Sequence, residues 1–342
     1  MVPDSRELTN LLLSPHPIDV FVSLLANQLS ITHISPYQTG GGVTKDSAFF
    51  GRDKILVQIL NREPRNYLVI GSRQMGKSSL LNKIERRYKN HPKIDCVCLH
   101  KADSREIEEQ LANLPADKTR LLLVDEADLF IRDEMANGYP MLSRFRTLSE
   151  EGRCYFILAG FWYLYEAAVL DYVSPVKNFG EPVIVEALEL KACRELATKP
   201  MAMLGIHYAD DKLVEQIITA TGQRANLIAT VCDNMLKNLA DERRVLNAED
   251  VTLALHSEAV QTALAWGKSK NDLENVIIEA TVETGTFKLS DVTQVLDERE
   301  YVYSHEQLKQ SLKRLELAFI IRRDKKQYTY CVPLFREMWL EL

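Results

Sequence analysis

The chain contains no C-x-x-C pair. Its six cysteines, Cys96, Cys98, Cys154, Cys193, Cys232 and Cys331, are scattered, and most lie in apolar runs. Cys96 and Cys98 would share one face of one strand, too local for a structural bridge. The reading is buried, reduced thiols in a cytoplasmic protein. There is also no hydrophobic run long enough to cross a membrane. The longest, Tyr155 to Leu170, has 16 residues, carries Glu166 and is divided by a glycine. The amino terminus, with Asp4 and Glu7 and no long apolar core, does not read as a secretory signal. Positive charge is not in excess either: 42 Lys and Arg stand against 48 Asp and Glu, for a net charge of −6. That excludes a polybasic nucleic-acid coat, so any DNA contact would be a local patch. Internal repeats and low-complexity tracts are absent. What remains is a chain of 342 residues, 46% hydrophobic and 26% charged, with ample apolar material for two or three domains.

Hydrophobic periodicity divides the chain into four parts. Residues 1–45 read as an extension, with a helix over Ile18–Leu29 and a loop at Ser35-Pro-Tyr-Gln-Thr-Gly40-Gly41-Gly42. Residues 46–188 alternate helix and strand, with strands predicted at Tyr67–Ile70, Ile94–His100, Arg120–Val124, Cys154–Ala159 and Val183–Val185. Helices are predicted between them, and such alternation predicts a parallel sheet covered on both faces. Residues 189–260 lose the strand signal and read as a small all-helical subdomain; Asn247-Ala-Glu-Asp250 is a cap with an acidic first turn. Residues 258–270, including Gly267-Lys-Ser-Lys270, read as a linker. Residues 271–342 read as three helices, a hairpin around Asp324-Lys325-Lys326 and a last helix after Pro333, the order of a winged helix-turn-helix.

The densest chemistry lies at Gly71-Ser72-Arg73-Gln74-Met75-Gly76-Lys77-Ser78, followed by Ser79. It matches the phosphate-loop pattern G-x-x-x-x-G-K-S/T without a mismatch, between a short apolar strand and a helix-like run. The glycines let the backbone curl its N–H groups toward phosphate oxygens, and the helix adds the positive end of its dipole. Lys77 would reach the β- and γ-phosphates, and the Ser78 hydroxyl would hold Mg²⁺. About 50 residues further on, Leu121-Leu122-Leu123-Val124-Asp125-Glu126 is a buried strand ending in two carboxylates. Asp125 suits Mg²⁺, which demands hard oxygen ligands and keeps its water. Glu126 suits the polarisation of an attacking water. A glutamate directly after the aspartate favours a hydrolase over a kinase.

Together these two motifs resemble the P-loop ATPases with a catalytic glutamate, the group holding the AAA+ and STAND proteins. Phe49-Phe50-Gly51-Arg52-Asp53, about 20 residues before the phosphate loop, is similar to the F-x-G-R-E/D box of STAND and origin-initiator-like ATPases. The resemblance implies that Gly51 and Arg52 lie near the adenine and ribose. The lead-in Ser35–Val43, the segment Ser174-Pro-Val-Lys-Asn178-Phe, and Pro333-Leu-Phe-Arg336-Glu-Met-Trp339 also resemble bacterial STAND ATPases. Where the family carries its sensor 1 polar residue, this chain has Gly160-Phe161-Trp162. In Thr221-Gly222-Gln223-Arg224-Ala225-Asn226, Arg224 replaces the proline of the STAND signature. It resembles instead the sensor 2 arginine of AAA+ proteins, which implies reach toward the γ-phosphate. Arg144, Arg146 and Arg153 lie where an arginine finger toward a neighbouring subunit often sits, and equally suit a solvated helix face.

What the resemblance implies is an α/β P-loop NTPase of AAA+-like type with a helical lid and a winged helix. ATP or ADP with Mg²⁺ would bind between sheet and lid. The function implied is an ATP-driven switch, slow or partner-stimulated in hydrolysis, acting on a partner effector protein in bacterial defence or signalling. Homo-oligomerisation through the ATPase domain is a further possibility. Two alternatives stay open. One is an initiator-like or transposition-regulator-like ATPase that contacts duplex DNA through Lys309, Lys313, Arg314, Arg322, Arg323, Lys325 and Lys326. The other is a nucleotide-binding scaffold without turnover.

Overall fold

The computed structural model describes residues 4–28, 35–101, 103–240, 242–265 and 271–341. The run Tyr67–Ile70 (β1) is apolar throughout and buried at every position. It lies one strand in from the edge of a five-stranded sheet with Ile94–His100 (β2), Thr119–Asp125 (β3), Cys154–Gly160 (β4) and Glu181–Ile184 (β5), in the order β2-β3-β4-β1-β5. Every pairing is parallel. β1 pairs with β4 from Tyr67↔Ile157 to Ile70↔Gly160, and with β5 from Tyr67↔Glu181 to Ile70↔Ile184.

Alternate residues of each strand feed opposite layers, as the two-residue pleat requires. On one face Leu68, Ile70, Leu122, Val124 and Phe156 join side chains of helices Ser104–Ala112 (α5), Asp128–Ala136 (α6) and Pro140–Glu150 (α7). On the other, Val69, Leu121, Leu123 and Ile157 meet Leu80, Leu81 and Ile84 of Lys77–Tyr88 (α4) and Ile59 of Asp53–Leu60 (α3). Ser5–Leu13 (α1) and Pro17–Gln28 (α2) precede these elements.

A third core joins the rest of the chain. It takes in Leu190–Met203 (α9), Asp211–Ala220 (α10), Ala225–Asn238 (α11), Ala248–Leu255 (α12) and Glu258–Leu264 (α13). It continues into Asp272–Thr281 (α14), Leu289–Glu298 (α15), His305–Leu317 (α16) and Pro333–Leu340 (α17). Asn247 caps α12 reciprocally with Asp250, the capping expected of that segment.

Several elements depart from the sequence reading. α6 has no counterpart among the predicted elements, because it opens directly after the acidic turn. Residues 258–264, read as linker, are helical: Ser257 caps α13, and Val260 and Leu264 bury one helical turn apart. The remaining linker residues, Gly267-Lys-Ser-Lys270, lie outside the described residues. Two-residue strands His207–Tyr208 (β6) and Val245–Leu246 (β7) pair inside the helical region, too short to show any period. The hairpin Ile321–Asp324 (β9) and Gln327–Tyr330 (β10) gains a third strand, Thr286–Lys288 (β8), in the order β8-β10-β9. Trp162–Tyr165 (α8) runs on into a π-helical turn at Glu166–Leu170.

Phe145 of α7 is fully buried, with its ring stacked 4.0 Å from that of Phe156 on β4. Phe145→Ala is expected to cost about 3–5 kcal/mol in chemical denaturation, through lost burial and a residual cavity. Leu129→Ser, at a side chain 62% exposed, should stay within ~0.5 kcal/mol.

Candidate functional site

The carboxyl ends of β1 and β3 open onto the same edge of the sheet, where open α/β folds bind ligands. Beyond β1, the Gly71 amide donates to the Gly160 carbonyl at 3.1 Å. A Cβ at Gly71 would lie 3.2 Å from the Val185 carbonyl oxygen, so backbone contact there demands glycine. Gly76 has φ +90° and open space around it. It serves as the N-cap of α4 and lends no side chain to the first-turn amides. Those amides and the helix dipole form a site for an anion.

Lys77 donates from Nζ to the carbonyls of Gly71 (2.7 Å) and Ser72 (2.8 Å). Burial pushes its pKa down to about 8, against the pull of Asp128, then Asp125 and Glu126. Asp125 is buried. Its Oδ1 accepts from the Glu126 amide at 3.0 Å, and its Oδ2 lies 3.5 Å from His100 Nδ1. Glu126 holds a left-handed backbone (φ 50°) and is exposed, its Oε2 3.5 Å from Lys101 Nζ. The carboxylate therefore faces outward, on a strained turn of the kind that collects at functional sites.

Arg52 and Gly51 also join the site to the helical region. The Arg52 guanidinium is buried and donates to the carbonyls of Ala187 and Met75, both at 3.1 Å. It ties the phosphate loop to the start of the helical region. Gly51 is needed because a Cβ there would meet Glu189 Oε2 at 2.5 Å and Ala192 Cβ at 2.7 Å. Ser79 Oγ accepts from the Val43 amide at 2.9 Å. A Cβ on Gly42 would lie 2.8 Å from that of Ser78, so the lead-in runs directly over the phosphate-loop helix.

That lead-in closes a cavity of about 370 Å³ beside the loop. Its walls are mostly apolar: Tyr37 from the lead-in, Phe50 from the segment before Gly51, Met75 from the loop, and Leu196, Met203 and Ala229 from the helices. Tyr37 is anchored through its hydroxyl to the Ala197 carbonyl at 3.2 Å. The size and apolar lining suit a nucleobase. Gly76, Ser79 and Arg52 also line it, so base and phosphate positions are continuous. Apart from Met75, these wall residues carry no sequence assignment, because no local pattern marks residues brought together from 37 and 229. Among the described residues no group of three or more His, Cys, Asp or Glu is arranged around a metal. Ser78 and Asp125 fit Mg²⁺ as the pair that would complete its shell with phosphate oxygens and water.

Position 160 has no room for a polar side chain. A Cβ there would lie 3.0 Å from Asp128 Oδ2 and from Leu164 Cβ. Asp128 instead accepts from the amides of Phe161 (2.5 Å) and Tyr163 (2.9 Å), placing a carboxylate beside the strand end where sensor 1 was sought. Arg224 is 1% exposed and donates to the carbonyls of Arg73 (2.9 Å) and Ala318 (3.1 Å). Gln74 of the loop accepts from Asn226 Nδ2 at 2.7 Å. Arg144, Arg146 and Arg153 are all solvent-facing, and the last two pair locally with Glu150 and Glu151.

The carboxyl-terminal elements reach this site. Ser72 Oγ donates to the Ala318 carbonyl at 3.2 Å, the same oxygen that Arg224 holds. Arg314 lies 4.6 Å over the Trp162 ring and 3.5 Å from Glu274, and Lys313 sits 5.7 Å over Tyr165. Of the seven basic residues considered for DNA, Lys309, Arg322, Arg323, Lys325 and Lys326 are exposed, whereas Lys313 and Arg314 turn toward α8.

The fold is that of the P-loop ATPases. The chain is similar to a Walker-type ATPase of Pyrococcus abyssi, with a TM-score of 0.60 at 14% identity over 88% of this chain and 99% of that one. It also aligns with the RuvB Holliday junction branch migration motor of Thermotoga maritima, with a TM-score of 0.49 at 13% identity over 84% and 94% of the two chains. No family model matches the sequence. No curated protein matches it either.

The depressed pKa of Lys77 sets a pH dependence. An arriving phosphate restores the charged form, so nucleotide binding between about pH 8 and the ordinary lysine pKa must take up a proton. ATP affinity is then expected to fall as pH rises through that window, by up to about tenfold per pH unit. Calorimetry in buffers of different ionisation enthalpy at pH 9 measures the uptake; no uptake would overturn the assignment of Lys77 to phosphate. Lys77→Ala should abolish nucleotide binding.

Proposed function

We propose that the protein is an ATP-binding and ATP-hydrolysing switch that regulates a partner protein through the position of its carboxyl-terminal module, a winged helix. The reading rests on one observation, the seating of Ala318 on the phosphate loop. Its carbonyl accepts from Ser72 and from Arg224, while Lys77 is turned onto the loop's own carbonyls. A triphosphate competes for the same groups. Lys77 would leave the Gly71 and Ser72 carbonyls for the β- and γ-phosphates, and Arg224 would leave Ala318 for the terminal phosphate. The module would lose its hold as the nucleotide gains one.

Mg²⁺, when bound by Ser78 and Asp125, would neutralise charge between the phosphates. Glu126 would swing from Lys101 to orient the attacking water, and hydrolysis would reseat the module. The membership implied is the STAND and AAA+ group, with Arg52 as a structural tie and the cavity wall at Tyr37 and Met203 as the base site.

Hydrogen exchange with and without a non-hydrolysed ATP analogue tests the coupling. The amides of residues 318–320 are expected to exchange faster with the analogue and to stay unchanged in the Lys77→Ala protein. Equal exchange with and without nucleotide would sink the switch. Gly222→Ala should mimic release, because its φ is +58° and a Cβ would lie 2.3 Å from the Cys331 carbonyl oxygen. Glu126→Gln is expected to lower phosphate release roughly 100-fold or more while leaving binding intact; unchanged turnover would leave a scaffold that binds without hydrolysis.

A further inference from the structure

The carboxyl-terminal module is acidic in sum, yet its charges are segregated. At the amino end of α15, between α16 and the β9–β10 hairpin, lies an open groove of about 600 Å³. Five cations line it: Lys288, Lys309, Lys313, Arg323 and Lys326. The single carboxylate in its lining, Glu316, is already held by Lys313 at 3.0 Å. The groove has an apolar floor of Leu289, Leu312 and Tyr328, with Leu289 still 42% exposed. A phosphodiester backbone has no use for such a floor. A carboxylate-rich segment carrying an aliphatic side chain matches both floor and rim.

One segment of this chain has that chemistry. At the opposite end of α15, Asp297, Glu298 and Glu300 are exposed around a turn whose one cation, Arg299, pairs with Glu279 at 3.3 Å, and Val302 follows at 95% exposure. Glu300 holds a left-handed backbone (φ 52°), which turns the segment out of the helix. Helix α15 has ten residues, about 15 Å, so groove and acidic turn are two faces of one module that cannot meet within a chain.

We infer that the basic groove of one copy receives the Asp297–Val302 turn of a second copy. Val302 rests on the Leu289 floor, and Glu298 and Glu300 face the lysine rim. Because the two faces differ, the contact is head-to-tail and propagates beyond a dimer unless rotation closes a ring. The inference does not depend on the nucleotide switch.

The test is a charge exchange on exposed residues, read by sedimentation velocity of the full chain over a concentration series at low ionic strength. One variant carries Lys309→Glu and Lys326→Glu; the other carries Glu298→Lys and Glu300→Lys. Each alone removes the charge complementarity between the two faces and is expected to associate roughly fivefold more weakly than the parent, by the worth of an exposed ion pair. Mixed in equal amounts, reversed groove meets reversed turn and native groove meets native turn at contacts between unlike copies, so they should associate again. Val302→Ser should weaken association roughly tenfold through lost apolar burial, and Leu289→Ser should do the same from the other side. Circular dichroism checks that all variants are folded. A mixture that stays as dissociated as its components overturns the inference. So does a parent chain that is monomeric throughout the series. A third overturning result is a 20-bp DNA duplex that binds the parent, is lost with Lys309→Glu/Lys326→Glu, and is indifferent to Leu289→Ser; it would assign the groove to nucleic acid.

Discussion

One buried guanidinium holds the three parts of the molecule together. Arg224 is almost fully enclosed and donates to a carbonyl of the phosphate loop on one side and a carbonyl of the α16–β9 corner on the other. Burial pushes its pKa down to about 9, a measure of how unfavourable the enclosed charge is. Carbonyl oxygens of Arg73 and Ala318 accept from it. Sheet, helical region and carboxyl-terminal module therefore meet at one buried cation. Lys77 is a second, also buried and also bonded to carbonyls. Two desolvated cations beside an uncapped helix start describe a site whose electrostatics are completed by phosphate. On the proposed reading, nucleotide affinity and module release draw on the same two buried cations.

The glycines show how closely these parts approach. Gly51 touches Glu189 and Ala192 of the helical region, Gly71 touches β5, and Gly222 touches Cys331 and Val332. Each is a place where a backbone passes without room for a Cβ. Two of them, Gly51 and Gly222, also have positive φ, so steric and conformational demands coincide. The contact at Gly222 is the tightest, and it lies two residues before Arg224. The turn that bears the guanidinium is thus pressed against the module that the guanidinium contacts. A displacement of either would bear on the other through backbone rather than through adaptable side chains.

What was legible in the sequence was what is contiguous in it. The phosphate loop and the acidic strand end are short runs whose residue types follow from their chemistry, and both sit at the predicted strand ends. Four strands of the sheet read closely because each contains an apolar run; the fifth, expected at Val183–Val185, is observed at Glu181–Ile184, so only Val183 and Ile184 are shared. Shorter elements, β6, β7 and β8, left no periodic signal. α6 was missed because its first turn, Ala127-Asp128-Leu129, continues an acidic stretch that looks like a loop. The same omission hid Asp128. Its carboxylate fills the space beside Gly160, which explains why no polar side chain appears at that strand end. Arg224 could be singled out by its neighbours in sequence, but its partners could not. Ala318 acts through a carbonyl oxygen, and a carbonyl carries no residue signature.

The seven basic residues of the carboxyl-terminal module illustrate the opposite error, in which one-dimensional clustering overstates a common purpose. Arg314 and Lys313 lie in the same run as Lys309, yet they stack on Trp162 and Tyr165 and help hold the module against the sheet. A guanidinium over an indole, also paired with a buried glutamate at Glu274, contributes to docking through desolvated contacts. Of the exposed remainder, Lys309, Arg323 and Lys326 line the groove with the apolar floor, which Lys313 borders from the docked side. Charge counted along the chain thus resolves into two functions in space. One part of the basic set secures the closed arrangement around Ala318. The other is free in that same arrangement, so a partner binding there need not displace the module from the nucleotide site. Release by nucleotide would break the first set of contacts and leave the second intact, which allows assembly and switching to be controlled separately.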